Sequence, residues 1–244
     1  MKKFWNWVKN EQNERTLTLE GTIAEESWYG DEATPAAFRE ELFAEDGPFT
    51  LNINSPGGDT IAASQIYTML MDYPHDVTVK ITGIAASAAS VIAMAGTKVT
   101  MSPTAMMMIH NPFTIAMGDS EEMRRASQLL DEVKESIINA YEIKTSLSRT
   151  RLSHMMNDET WMNAVKAKEL GFCDEILYAD DKPAQEDGMF FSTGSFYARK
   201  AVMNCLLDKI KAHLPANVPA PSEPDSRIRA ADLEERLKRL KYTY

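Results

Sequence analysis

Cysteine is almost missing from this chain. Cys173 and Cys205 are the only two among 244 residues, too few for a disulfide framework, and with four scattered histidines they make no metal-ligand spacing. Neither half carries a basic block and the formal net charge is −10, which argues against a nucleic-acid partner. No apolar run is long enough to span a bilayer, so no membrane partner is expected. The opening "MKKFWNWVKNEQNERT" has a basic start but lacks the continuous apolar region and small-residue cleavage site of a secretory signal. These absences point to a cytoplasmic protein that needs no cofactor. What is present is an apolar share of 44%, ordinary for a globular protein, in a length that holds one sizeable core or one domain with an appendage.

Three stretches alternate or cluster apolar residues as strands do: "TLTLEGTI" (16–23), "FTLNIN" (49–54) and "DVTVKIT" (76–82). Between them lie two helical patterns. The first, "ATPAAFREELFAE", has Thr34 as a cap and Pro35 at the first helical position. The second, "DTIAASQIYTMLMDY" (59–73), sets Ile61, Ile66, Tyr67 and Leu70 on roughly one face and stops before Pro74. Strand–helix–strand order with short turns argues for parallel crossover units in an α/β layer fold. "KVTM" and "AMMMIH" (105–110) are two further short strand candidates, and "SPGG" (55–58) reads as a turn. From Asp119 to about Ser148 a long helical pattern carries Met123, Leu129, Leu130, Val133, Ile137, Ile138 and Tyr141 as an apolar stripe. A helix that long projects beyond a compact domain unless it packs on something, and a partner subunit is expected there. "LSHMMNDETW" then reads as a short helix, followed by a helix ended by Gly171 and a closing strand. A polar leader (1–15) is expected before the domain (16–180). After it comes an appendage (181–244), with a Pro-rich linker and the amphipathic "ADLEERLKRL".

The stretch "GIAASAAS" (83–90) follows a strand and opens a helix, built almost wholly of small residues. Close packing of a helix start on a sheet explains them, and so does a nucleophile: Ser87 would sit at the strand-to-helix turn beside the free amides of the helix. Its candidate base is His110 in "MMMIHNP", at the end of an apolar strand, where a satisfied structural histidine is the competing reading. The glycines of "NSPGGD", Gly57 and Gly58, permit positive φ and let backbone N–H groups approach a carbonyl; a plain β-turn is the alternative. They also leave bare main chain for strand addition by an extended peptide. The orienting acid is Asp158 or Glu159 in "MMNDETW", with helix capping a rival role for Asp158.

"INSPGGD", then "GIAASAAS" with Ser87 thirty residues after Gly57, then "MIHNP", then an acid ahead of "AKELGFCDEI" stand in one order. In that combination the chain resembles the proteolytic subunit of the Clp protease over about 16–178. It is more closely similar to the Clp-like proteases encoded beside phage capsid genes, the prohead or head-maturation type. The resemblance implies a serine endopeptidase of crotonase-like fold, with repeated ββα units and a long protruding handle helix. It also implies a homo-oligomeric ring enclosing the active sites. Ser87 then matches the nucleophile, His110 the general base, and the amides of Gly58 and Ala88 the oxyanion hole, with Gly57 and Gly58 contacting substrate. Counting back without gaps from "WMNAVKAKELGFCD", the acid falls on Glu159, where the family usually has aspartate; Asp158 takes over if the backbone shifts slightly. The helix at 119–148 matches the handle that mediates ring-to-ring contact. The chain departs from the family upstream of its first strand. The "WNW" leader and the insertion "SWYGDEATP" stand there, in place of the segment that gates the ring and meets the ATPase. Expected substrates are polypeptides, capsid or scaffold proteins among them, and the protein itself would enter the procapsid. The alternatives are a housekeeping Clp peptidase working with an ATP-dependent unfoldase, and an inactive ring serving as an assembly scaffold. An acyl-CoA enzyme of the same fold explains neither the Ser87–His110 pairing nor the lack of a basic patch.

Overall fold

The computed structural model describes residues 8–9, 15–27 and 32–179. The expected appendage at 181–244, most of the leader with its "WNW" motif, and part of the "SWYGDEATP" insertion lie outside the described residues. Within them, β1 (Val8–Lys9), β2 (Arg15–Ile23), β3 (Phe49–Gly58) and β4 (Val77–Ala86) build the heart of one sheet. The alternation of the sequence becomes two faces. Leu17, Leu19, Leu51, Ile53, Val79 and Ile81 are wholly buried, while Thr18, Asn52 and Lys80 face the other way. Parallel pairing sets Leu17 beside Leu51 and Leu51 beside Val79, so the apolar rows of the three strands coincide. Each such side chain contributes about 1.5–3 kcal/mol by leaving water. Val8 and Lys9 pair antiparallel with β2, so part of the stretch read as a leader extends the sheet.

The helices α1 (Pro35–Leu42) and α2 (Thr60–Met71) cross between these strands. Thr34 caps α1 as expected, accepting from the Ala37 amide at 3.3 Å, and Asp59 caps α2, accepting from the Ala62 amide at 2.7 Å. The face of α2 is narrower than the sequence suggested. Ala62, Ala63, Ile66 and Leu70 are buried, whereas Ile61 is 56% exposed. Five residues before Ile66, it sits about 140° round the helix from it.

β4 is longer than its alternating part and serves two neighbours. Thr78–Ile81 pair with β5 (Lys98–Met101), and beyond a bend Ile84–Ala86 pair with β6 (Met106–Ile109). Between β4 and β5 lies the short α3 (Ala88–Ala93). Then come α4 (Ser120–Thr145), α5 (Arg149–Asn157), β7 (Thr160–Asn163), α6 (Ala164–Glu169) and β8 (Glu175–Ile176). The sheet runs β1-β2-β3-β4-β5-β8, with β6 and β7 branching from β4. β7 corrects the reading of "LSHMMNDETW" as one helix: α5 stops at Asn157, and Thr160–Asn163 pair antiparallel with β6. Four residues carry no strand periodicity of their own; the β6 edge supplies it.

Helix α4 opens with a capping box, Asp119 accepting from the amides of Glu121 and Glu122 while Glu122 accepts from the Asp119 amide. Its 26 residues extend about 39 Å at 1.5 Å each. The apolar stripe divides along that length. Ile137, Ile138 and Tyr141 are buried in the domain's own core, Tyr141 edge-on to Phe172 at 5.5 Å. Met123 and Leu129 are 38% and 62% exposed.

Candidate active site

Ser87 stands at the corner between β4 and α3 with φ 54° and ψ −124°. A non-glycine residue held there costs about 1–3 kcal/mol, so the surroundings must enforce it. They do so with hydrogen bonds at both ends of the residue. The Ser87 amide donates to the Met108 carbonyl at 2.9 Å, and the Ser87 carbonyl accepts from the Ser90 amide at 3.0 Å and the Ser90 hydroxyl at 2.5 Å. Ala85, Ala86, Ala88 and Ala89 around it are buried, and larger side chains would not fit.

"SPGG" is not the turn the sequence suggested. It is the end of β3, with Gly57 and Gly58 paired to Thr22 and Ile23 of β2 past a bulge at Gly21. Both glycines are demanded by neighbours. With φ +93°, a Cβ on Gly57 would lie 2.5 Å from the Ala86 carbonyl and 2.9 Å from the Ala88 nitrogen. A Cβ on Gly58, with φ +150°, would collide with the Ile23 carbonyl. β2 thus takes one edge of this segment, and β4 lies along the other as far as Ser55. Ser55, wholly buried and overlooked in the sequence, fastens the arrangement. Its hydroxyl donates to the Gly21 carbonyl at 2.6 Å and accepts from the Gly57 amide at 3.1 Å. A polar residue on the buried side of a strand was the available signal.

His110 follows β6, and the pairing of Ala86 with Met108 brings the ends of β4 and β6 together. The imidazole Nε2 lies 2.7 Å from Ser87 Oγ. The histidine is 6% exposed, and the Phe113 ring sits beside it at 6.0 Å. The next residue is pinned to the end of α5: the Asn111 amide donates to the Met156 carbonyl, and its side chain to Asn157 Oδ1 at 3.0 Å. Lys134 of α4 donates to that same oxygen at 2.7 Å.

The two acids are placed differently. Asp158 is the exposed C-cap of α5. Glu159 has φ 48°, is half-buried, and accepts from Trp161 Nε1 at 3.4 Å. Among the described residues neither carboxylate is hydrogen-bonded to His110. The backbone nonetheless distinguishes them. The β6–β7 ladder ends with Ile109 paired to Thr160, so Glu159 and His110 each adjoin its last rung, while Asp158 lies one residue further off.

The other histidines stand apart. His75 pairs with Asp46 at 2.7 Å beside an open recess of about 390 Å³, at the opposite ends of β3 and β4 from Ser87. His154 is exposed on α5, and His213 lies outside the described residues. Among the described residues no cluster of three His, Cys, Asp or Glu side chains is arranged to hold a metal ion. The hydroxyl of the half-buried Ser87, 2.7 Å from an imidazole nitrogen, is within reach for proton transfer to that nitrogen.

Residues 12–180 match the family described as Clp protease. An ATP-dependent Clp protease proteolytic subunit of Bacteroides fragilis is 35% identical over 133 residues, covering 52% of this chain and 63% of that protein. Proteolytic subunit 2 of Thermobifida fusca is 32% identical over 140 residues, covering 56% and 69%. The chain thus spans less than two thirds of the length of the Bacteroides relative. Among solved structures, a mutant ClpP1 from Listeria monocytogenes superposes with a TM-score of 0.59 at 25% identity, over 68% of this chain and 92% of that one. That likeness bears out the expected ClpP-type, crotonase-like fold. The matched stretch contains every element from β2 to β8, including the Ser87 corner and His110, and by it the chain belongs to the Clp protease family.

Proposed function

We propose that this chain is a serine endopeptidase with Ser87 as nucleophile and His110 as general base. The 2.7 Å contact between Ser87 Oγ and His110 Nε2, at a corner whose backbone strain is enforced from both sides, carries the reading. His110 Nε2 takes the hydroxyl proton as Oγ attacks the substrate carbonyl. The amides of Gly58 and Ala88 receive the developing oxyanion. The imidazolium then returns its proton to the leaving amine, and a water activated by the same nitrogen releases the acyl group. Glu159 supports the imidazolium once its carboxylate turns from Trp161 to the ring. The ladder register favours it over Asp158, and such contacts often tighten only around substrate. Main chain at Gly57–Gly58 takes the extended peptide past Ser55, the last residue of β3 paired with β4.

The substrates are unfolded polypeptides processed inside a homo-oligomeric ring in the cytoplasm or a procapsid, with capsid or scaffold proteins as the natural targets. Exposed apolar side chains in the region named as the handle support the assembly. A second reading, a housekeeping peptidase that depends on an unfoldase, is favoured by relatives named ATP-dependent Clp protease proteolytic subunits. Labelling with a fluorophosphonate, read by mass spectrometry against Ser87→Ala, tests the activity: an unlabelled wild type means an inert ring acting as scaffold. Cleavage of purified capsid or scaffold without ATP favours the head-maturation role. Cleavage of a folded substrate only with ATP and a co-purifying unfoldase favours the housekeeping one.

A further inference from the structure

The peptide unit that joins Ser87 to Ala88 has two ends with different duties. Its N–H, on Ala88, is one of the first-turn amides that a helix leaves without an internal partner. Its C=O, on Ser87, points the opposite way, because carbonyl and amide of one planar peptide are antiparallel. Whatever holds the carbonyl therefore aims the amide. The carbonyl is held by the Ser90 amide at 3.0 Å and by the Ser90 hydroxyl at 2.5 Å. Ser90 is wholly buried, and its oxygen lies 2.8 Å from the hydroxyl of Tyr141, which reaches in from α4 and is 1% exposed.

The proton order in this chain is fixed. A carbonyl oxygen only accepts, so Ser90 O–H donates to Ser87 C=O. With its single proton committed, the Ser90 oxygen must accept from Tyr141 O–H. Burial pushes the Tyr141 phenol well above its usual value, so the proton is retained throughout the working pH range. The relay therefore runs from Tyr141 through Ser90 to the Ser87 carbonyl, each bond polarising the next.

We propose that Ser90 and Tyr141 are positioning residues that hold and polarise the Ser87–Ala88 peptide, so that the Ala88 amide is aimed at the oxyanion. The proposal rests on reading Ser87 as nucleophile and the Ala88 amide as an oxyanion donor. It assigns to Tyr141 a role that its place in an apolar stripe conceals. A phenylalanine there would fill the core equally and leave the relay without its first donor.

The test uses the full-length protein with Tyr141→Phe, Ser90→Ala and the double variant. A fluorogenic peptide gives kcat and KM, and a peptidyl boronate, which forms a tetrahedral adduct on the serine, gives an inhibition constant. Tyr141→Phe is expected to lower kcat about 3–10-fold and Ser90→Ala about 10–30-fold. Both are well short of the ~10²–10³-fold loss on deleting an oxyanion donor outright. KM should stay within about twofold, boronate affinity should fall by the same factor as kcat, and the double variant should be no slower than Ser90→Ala, because the two act in series. A folded Tyr141→Phe protein with wild-type kcat overturns the proposal. So do additive losses, or slower turnover with unchanged boronate affinity. If Ser90→Ala does not fold, Tyr141→Phe, which preserves volume, decides the matter by itself. A wild type that neither cleaves nor takes up a fluorophosphonate sinks the nucleophile assignment and this proposal with it. A labelled, active wild type with unaffected variants sinks the relay alone.

Discussion

Gly57 and Ser87 approach so closely that a Cβ on the glycine would lie 2.9 Å from the Cβ of the serine. The end of β3 is therefore the wall against which the serine corner is built, and the absence of a side chain at 57 is what lets the corner close. Gly57→Ala must displace that corner or take up the strain of a positive φ, at a cost of about 1–3 kcal/mol. The expected result is a lowered melting temperature and peptidase activity reduced at least tenfold. Wild-type turnover from Gly57→Ala would show that the contact has slack that the geometry does not suggest.

Ser87→Ala is expected to abolish cleavage and leave the melting curve within a few degrees of wild type, since alanine already fills the neighbouring positions. His110→Ala should lose a comparable amount, and the double variant no more, because members of one catalytic unit do not add. Near-wild-type turnover in either single variant refutes the assignment.

For the acid, the ladder register ranks the candidates. Glu159→Gln should slow the reaction roughly 10²–10⁴-fold, the range expected when the imidazolium loses its support. Asp158→Asn, at an exposed helix end, should change it by less than about threefold. The opposite ranking in kcat/KM would move the acid to Asp158.

The division of the α4 stripe makes two outcomes separable. Ile115, Met117 and Leu129 are 78%, 91% and 62% exposed, and they are the side chains through which the proposed assembly is expected to form. Replacing Ile115 and Leu129 with Lys should reduce the particle's mass by light scattering and leave the subunit folded by circular dichroism. Val133 packs against the subunit's own core, so Val133→Lys should lower the melting temperature as well. An unchanged mass in the first variant would remove this surface from the assembly.

Every described element ends by Ile176, and each proposed catalytic residue lies upstream of it. Truncation after Ala179 is expected to leave cleavage of a small peptide intact and to impair capture of capsid or scaffold in a pull-down. Insolubility of the shortened chain would place residues beyond 180 in the catalytic domain's core.

The parts of this protein that its sequence determined are the local ones. Alternation at Leu17–Leu19, Leu51–Ile53 and Val77–Ile81 specified three strands, because one face of a pleat must be buried and its period is two. Thr34 announced one helix start, because a cap closes a hydrogen bond to an amide three residues away; Asp59 and Asp119 cap theirs by the same local rule. The order of glycines, Ser87 and His110 marked the candidate site as well. Tertiary structure decided what depends on partners far along the chain. "SPGG" reads as a turn in isolation and is a strand end because β2 pairs with it. Thr160–Asn163 become a strand because β6 offers an edge. The stripe on α4 has one periodicity from end to end, yet only its second half meets the core, and no local pattern records where a domain stops. Ser90 and Tyr141 are 51 residues apart, and their bond arises from how α4 lies across α3. The acid belongs here too: its residue type was legible, but how Asp158 and Glu159 lie relative to His110 depends on the register between two strands separated by the whole of α4 and α5.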